Sequence, residues 1–239
     1  LLQRCTYENT KKVLNNEDAL SYYLLGAFIT DGNLIQDKSR TNSFKISLCS
    51  KDIDWLELIQ KELGGDGNIR DTCNNSSTLF LYGKDIYNWF VEHKCCPKKS
   101  LTQELPDIPD IHFNDFLKGC IDGDGSIYRS QYKAHNNKTY EQTTVYLCGA
   151  SENFLLTISD KLNDINFKHS VIQQKPKNKV INGRVVYSKH NMYKIQFSGH
   201  KKCVKFLHWL YSSDTISMPR KKLIAESILQ DYSKYLAED

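Results

Sequence analysis

Two stretches of the chain repeat one pattern and constrain everything around them: YLLGAFITDGNLI at residues 23–35 and DFLKGCIDGDGSI at 115–127. Each sets an apolar helical run ahead of an Asp-Gly pair. In each, a glycine lies one helical turn before a small residue, Gly26 before Thr30 and Gly119 before Gly123. Two such helices can pack with their backbones unusually close, in the geometry of small-xxx-small faces. Their flanks are too polar for a bilayer span. Asp31 and Asp124 fall in the last turn of each predicted helix, with Gly32 and Gly125 placed for a left-handed C-terminal cap. Packed in parallel, the helices bring two carboxylates together.

Two ionised carboxylates about 5 Å apart repel by roughly 3 kcal/mol at an effective dielectric of about 20, and both lie at the negative ends of helix dipoles. A divalent cation removes that penalty. An all-oxygen donor set suits Mg²⁺, which keeps most of its waters and pairs readily with a phosphate. One copy alone is equally well explained by an ordinary helix ending in an Asp-Gly turn; two copies are not.

LLGAFITDG and LKGCIDGDG resemble the two motifs of a single-chain LAGLIDADG homing endonuclease. The resemblance implies an α+β fold of two αββαββα halves about a pseudo-twofold axis, each with an antiparallel, saddle-shaped sheet on DNA. It implies a site-specific endonuclease that hydrolyses both strands of double-stranded DNA with Mg²⁺, with Mn²⁺ as a substitute and Ca²⁺ supporting binding without cleavage. It also implies an intron- or intein-associated enzyme of a bacterium, phage or organelle. Asp31 and Asp124 match the metal-binding acids. Two positions depart from the motif, Ile29 where it has an acid and Lys118 where it has a small residue. The same fold serves intron RNA maturases and non-cleaving DNA-binding regulators; retention of both acids favours the nuclease over the regulator.

Composition agrees. A chain of 239 residues, 40% of them apolar, buries a substantial core, and its net charge of +4 is only mildly basic. It has no run of about 18 apolar residues and no signal peptide, so an intracellular protein without a membrane partner is expected. The eight cysteines include no C-x-x-C, and Cys95 and Cys96 are adjacent. That pattern suits neither a zinc knuckle nor a disulfide framework, and reads as reduced thiols.

Residues 1–15 read as an N-terminal extension, 16–105 as a first half and 106–239 as a second, with Pro106 and Pro109 near the junction. Asn15 or Asn16 is the expected cap of the first motif helix. A strand at 34–38 and the alternating Phe44, Ile46 and Leu48 make a hairpin. Trp55, Leu56, Ile59 and Leu63 mark a helix closed by Gly64-Gly65, followed by a second hairpin at 68–82 and a helix at 85–93. The second half repeats this order. Leu48 to Leu63 spans 15 residues, as does Leu147 to Leu162; Gly83 matches Gly199, and Pro97-Lys98-Lys99 matches Pro219-Arg220-Lys221. Lys99 follows Asp31 by 68 residues but Lys221 follows Asp124 by 97, so the second half has longer loops. Its strands are expected at 127–133 with 140–148 and at 171–175 with 184–198, with a turn at Asn182-Gly183. Unequal halves in one chain fit a monomer reading an asymmetric site.

Between residues 126 and 205 there are 14 Lys and Arg against 4 Asp and Glu, a basic region hidden by the whole-chain charge. Lys45 in the first half, and Arg129, Lys133, Lys175, Lys177, Arg184 and Lys194 in the second, are the candidate DNA-binding residues. They alternate with Tyr, Gln, Asn and Thr, as expected where strands lie in a groove touching phosphates and base edges. In intein-resident members of the resembled family, a lysine shortly before the second motif lies near the scissile phosphate. Lys99 matches that position and the repeat carries the assignment to Lys221, so both are candidate catalytic residues that hold a water or neutralise charge on the phosphorane. Plain phosphate anchoring by Lys98, Lys99, Arg220, Lys221 and Lys222 is the alternative.

Overall fold

The computed structural model describes residues 7–37, 39, 43–72, 75–133, 137–176, 179–181, 184–186 and 189–237; at 37, 179–181 and 184–186 it describes the backbone only. The chain opens with helix α1 (Glu8–Asn15). The first repeat is α2 (Ala19–Thr30), β1 (Gly32–Asp37), β2 (Ser43–Ser50), α3 (Ile53–Glu62), β3 (Asn68–Thr72), β4 (Ser76–Tyr82) and α4 (Lys84–Glu92). The second is α5 (Phe113–Asp124), β5 (Gly125–Lys133), β6 (Thr139–Gly149), α6 (Glu152–Asp164), β7 (Ser170–Gln174), β8 (Lys179–Ile181), β9 (Arg184–Val186), β10 (Met192–Ser198) and α7 (His200–Leu210), followed by α8 (Pro219–Asp231).

Each repeat builds an antiparallel four-stranded sheet with the same strand order, β1-β2-β4-β3 and β5-β6-β10-β7. The register repeats as well. Gly32 lies opposite Leu48 and Leu48 opposite Leu79, just as Gly125 lies opposite Leu147 and Leu147 opposite Ile195. The amides of Gly83 and Gly199 donate to Phe44 and Thr143, which are equivalent positions. Period-two alternation drives one face of each sheet inward: Phe44, Ile46, Leu48, Leu79 and Leu81 are buried in one half, and Val145, Leu147, Ile195 and Phe197 in the other. The α+β architecture of two related αββαββα halves is therefore the observed one.

The halves meet along α2 and α5. A Cβ on Gly26 would come within 2.1 Å of the Phe116 carbonyl oxygen, and one on Gly119 within 2.1 Å of the Tyr23 carbonyl oxygen. Each contact is the twofold image of the other. Glycine is required at both because backbone fills the space a side chain would need.

Three sequence expectations change. The cap of α2 is Asp18, whose carboxylate accepts from the amides of Leu20 and Ser21 at 3.0 and 3.1 Å, because α1 takes up Asn15 as its last residue. Residues 8–15 are tied to the first repeat: the amide and hydroxyl of Thr10 donate to Asp66 at 2.8 and 3.0 Å, and Leu14 is buried. The single strand expected at 184–198 is divided. Residues 192–196 pair with β7, whereas 184–186 pair with 179–181 in a small ribbon, the Asn182-Gly183 turn itself lying outside the described residues.

Candidate functional site

The two motif helices deliver Asp31 and Asp124 to one end of their interface. Asp31 is the residue that closes α2, and Asp124 is the last residue of α5. The glycines that follow are not left-handed caps as the sequence suggested. Gly125 is extended (φ −95°, ψ 174°), and Gly32 has no positive φ. The chain passes straight from helix to strand, so the strand start doubles back over the last helical turn. A Cβ on Gly32 would sit 2.4 Å from the Phe28 carbonyl oxygen, and one on Gly125 2.6 Å from that of Ile121. Close approach, rather than handedness, selects glycine here.

Burial pushes the Asp31 carboxyl up to about 6, with the Asp124 charge adding to the rise and Lys221 and Lys99 opposing it. Burial raises Asp124 against the same two lysines. Burial is thus the main cost at both acids, the Asp124 charge adds to it at Asp31, and Lys221 and Lys99 offset it only in part.

Both candidate lysines are buried, Lys99 at 8% and Lys221 at 4% exposure. The Lys99 ammonium donates to the Gly32 carbonyl oxygen. Lys221 donates to the carbonyl oxygens of Ile121, Asp122 and Gly125 at 2.6, 2.7 and 2.8 Å. Gly32 and Gly125 are equivalent, so the two lysines are twofold-related cations set on the negative ends of the two helices. Desolvation lowers the Lys221 pKa.

An open cleft of about 760 Å³ lies beside Asp31 and a smaller one of about 290 Å³ beside Asp124. Each is built by both halves. The Asp31 cleft takes Gly123, Arg220 and Lys221 from the second repeat, and the Asp124 cleft takes Thr30, Lys99 and Ser100 from the first. Neither half carries a complete cleft by itself.

The described side chains among the candidate DNA-binding residues divide into three groups. Lys45 and Lys194 project from the sheet faces turned away from the helices, each over an aromatic ring, Phe80 at 4.1 Å and Tyr146 at 4.2 Å. Lys133 and Lys175 are exposed at the ends of β5 and β7. Arg129 is turned the other way. It shares the inward face with Ile127 two residues earlier, and its half-buried guanidinium bonds Asp231 at 2.7 Å and Ser227 at 3.1 Å on α8. Lys177 lies outside the described residues, and of Arg184 only the backbone, in β9, is described. Among the described residues, the outward face of the second sheet also carries paired tyrosines, Tyr128 against Tyr146 and Tyr132 against Tyr140, with ring centroids 6.2 and 5.9 Å apart.

Sequence reasoning missed a polar network behind the acids. Asp122 is fully buried; its Oδ2 accepts from the Tyr23 hydroxyl and the Met218 amide, both at 2.7 Å, and Trp55 Nε1 donates to that hydroxyl at 2.7 Å. Its Oδ1 has no partner among the described residues, and burial raises its carboxyl to about 6. One turn back, Lys118 donates to Ser213 Oγ at 2.9 Å, and Asp115 accepts from Ser213 and Thr215. The signal was available: Asp115 and Lys118, an acid and a base three apart in an apolar helical run, are spaced as a pair. All six described cysteines are free thiols. Among the described residues, no helix is long and apolar enough to cross a membrane.

Solved structures share this fold. The I-LtrWI LAGLIDADG homing endonuclease bound to target DNA aligns with a TM-score of 0.61 at 13% identity, covering 93% of this chain and 92% of that one. The LAGLIDADG meganuclease I-AabMI bound to uncleaved DNA gives 0.59 at 13% identity, covering 91% of each chain. Meganuclease I-SmaMI, bound to uncleaveable DNA, gives 0.59 at 11% identity, covering 89% of this chain and 90% of that one. No protein-family model matches the sequence, and no curated protein matches it.

Proposed function

We propose that this chain, which has the fold of the single-chain LAGLIDADG homing endonucleases, is itself a site-specific endonuclease that hydrolyses both strands of double-stranded DNA. One observation carries the reading. Two related clefts flank a single helix pair, and each holds one acid from its own half and one buried lysine from the other. Two strands need two such clefts, and a pseudo-twofold axis within one chain supplies them to a monomer.

The donor chemistry fits a divalent cation of the Mg²⁺ class. Among the described residues there is no group of three or more His, Cys, Asp or Glu, so nothing favours a zinc-type site. Two carboxylates raised by burial, each beside an open cleft, match a cation that binds through one or two carboxylates plus a substrate phosphate. Asp31 and Asp124 would hold it, and the bound ion would supply Lewis-acid polarisation of the phosphodiester. The chain's own groups do the rest. Lys99 and Lys221, locked on main-chain carbonyls, keep the helix ends from repelling the incoming phosphates and fix where the acids sit. Outward faces carrying Lys45 and Lys194 hold the duplex across the clefts.

Selecting sites from a randomised duplex library with Mg²⁺ gives the substrate. Asp31→Asn and Asp124→Asn should each abolish double-strand cleavage while binding, measured in Ca²⁺, stays within about tenfold, because the acids hold metal rather than DNA. Lys99→Met and Lys221→Met should slow single-turnover cleavage by roughly 10² if they act on the developing charge. Cleavage that persists in the Asp31→Asn, Asp124→Asn double variant would remove these acids from the chemistry.

A further inference from the structure

Among the described residues, the outward face of the β5–β6 pair carries no charged side chain. The positions that alternate with the buried Ile127, Val145 and Leu147 are filled by Tyr128, Tyr132, Tyr140 and Tyr146 and otherwise by Ser, Thr, Gln and Cys. The charged residues of these strands, Arg129, Lys133 and Glu141, take the other positions, in step with Ile127. Lys194 comes in from the neighbouring strand β10, over the Tyr146 ring at 4.2 Å. Tyr128, Tyr132 and Tyr140 are 37, 51 and 42% exposed, so aromatic rings dominate a sheet face open to solvent, which is ordinarily polar. The first sheet differs at the equivalent place. With Leu48 equivalent to Leu147, Lys45 is equivalent to Thr144, and Lys45 and Arg70 lie over the outward Phe80 ring at 4.1 and 5.9 Å.

Resting on the nuclease reading, we propose that the β5–β6 face reads its half of the target through thymine methyl groups, the tyrosine rings packing on them in the major groove. Thymine presents a C5 methyl there, and apolar side-chain surface is what meets it. A tyrosine ring supplies that surface with two side-chain torsions to fix, so little entropy is lost on contact. The spacing agrees. A strand advances about 3.3 Å per residue and duplex DNA about 3.4 Å per base pair. Tyr128 and Tyr132 are four residues apart, so the two tyrosine pairs meet bases about four base pairs apart. Strand β5 begins at Gly125, next to Asp124, which sets the Tyr128–Tyr146 pair nearer the cleft and the Tyr132–Tyr140 pair farther out. The same contact separates DNA from RNA, because uracil lacks the methyl.

The test uses the full chain in Ca²⁺ and a duplex selected by binding from a randomised library. Each thymine is then replaced in turn by uracil, which deletes the methyl and leaves the base pairing unchanged. On one half-site, replacement should weaken binding by about fourfold per contacted thymine, the worth of one buried carbon. The sensitive thymines should fall in two clusters about four base pairs apart. The Tyr132→Ser, Tyr140→Ser double variant should abolish the penalty in the outer cluster and keep it in the inner one, which also verifies that the variant folds. The Tyr132→Phe, Tyr140→Phe variant keeps both rings and should keep both clusters. A selected half-site without thymines, uracil substitutions that leave binding unchanged, or an outer penalty that survives the serine variant would overturn the proposal while DNA binding, and the nuclease reading with it, stands. The phenylalanine variant losing the outer penalty as the serine variant does would overturn it as well, because the contact would then be the hydroxyl. A library from which no duplex is selected removes the nuclease reading and this proposal together.

Discussion

Helices α2 and α5 occupy equivalent places and make mirror contacts through Gly26 and Gly119, yet they are held by different chemistry. Where α5 buries Asp115, Lys118 and Asp122, the equivalent residues of α2 are Tyr22, Leu25 and Ile29. All three polar groups of α5 bond into residues 213–218, the segment that leads to Lys221. The equivalent segment of the first half has one comparable tie, the Cys95 thiol donating to the Phe28 carbonyl at 3.6 Å. Apolar burial is non-directional and tolerates small shifts. Buried hydrogen bonds fix position, and every unmet one is costly. The second half therefore places its lysine by directional bonds, the first chiefly by packing. That contrast matches the three carbonyls within 2.8 Å of Lys221 against the single one bonded by Lys99.

The shared part of the comparison should be the most fragile. Gly26→Ala and Gly119→Ala each force a methyl into backbone 2.1 Å away, which only separation of the helices can relieve. Each should cost about 4 kcal/mol or more, or prevent folding. Urea unfolding followed by circular dichroism measures this. A variant at one site that stays near wild-type stability while the other collapses would show that the interface is not twofold in energy, whatever its geometry.

The unlike part should show as a difference between equivalent sites. Lys118→Leu leaves Asp115 buried without its cation and should cost roughly 3–5 kcal/mol. Leu25→Met, at the equivalent position of α2, is a volume-conserving change and should cost less than about 1.5 kcal/mol. Asp122→Ala removes the acceptor for both the Met218 amide and the Tyr23 hydroxyl, and should cost about 2–4 kcal/mol, while Asp122→Asn keeps an acceptor and costs less. Denaturant midpoints with unchanged m-values give these numbers. Similar losses for Lys118→Leu and Leu25→Met would mean that directional anchoring of α5 contributes nothing beyond burial.

Much of this molecule was legible in its sequence because the duplicated motif is a local signal with a long-range meaning. A glycine one turn before a small residue says that backbones touch, and two copies say what they touch. Strand alternation and the equal Leu48–Leu63 and Leu147–Leu162 spacings carried the sheets to the right register. What escaped depends on orientation. Arg129 lies in a basic, tyrosine-rich strand, and the side it faces, which pairs it with Asp231, is not recorded in any spacing. Lys99 and Lys221 were found as positions, but their burial on helix-end carbonyls follows from how the late segments fold back, which no spacing records. Gly32 and Gly125 were read by the commonest reason for a glycine after a helix, and the structure uses them for room instead.

One expected effect has the opposite sign, and it separates function from folding at the site itself. Asp31 rises from an ordinary 3.8 to about 6 in the folded protein, so between those values the folded state binds more protons than the unfolded one. Without divalent cation the Asp31 contribution to stability is therefore least unfavourable below about pH 4, falls as pH rises towards 6, and levels off above it. The group's contribution amounts to about 2–3 kcal/mol of destabilisation at pH 7. Asp31→Asn removes it. That variant should melt several degrees higher than wild type at pH 7, with the difference shrinking towards pH 4. Mg²⁺ should raise the wild-type midpoint at pH 7, because a ligand that binds only the folded state stabilises it. It should do little for the Asp31→Asn, Asp124→Asn double variant. An Asp31→Asn protein that is less stable than wild type at pH 7 would mean that the acid is already satisfied by Lys99 and Lys221, and that the case for a cation between the two helices has lost its electrostatic ground.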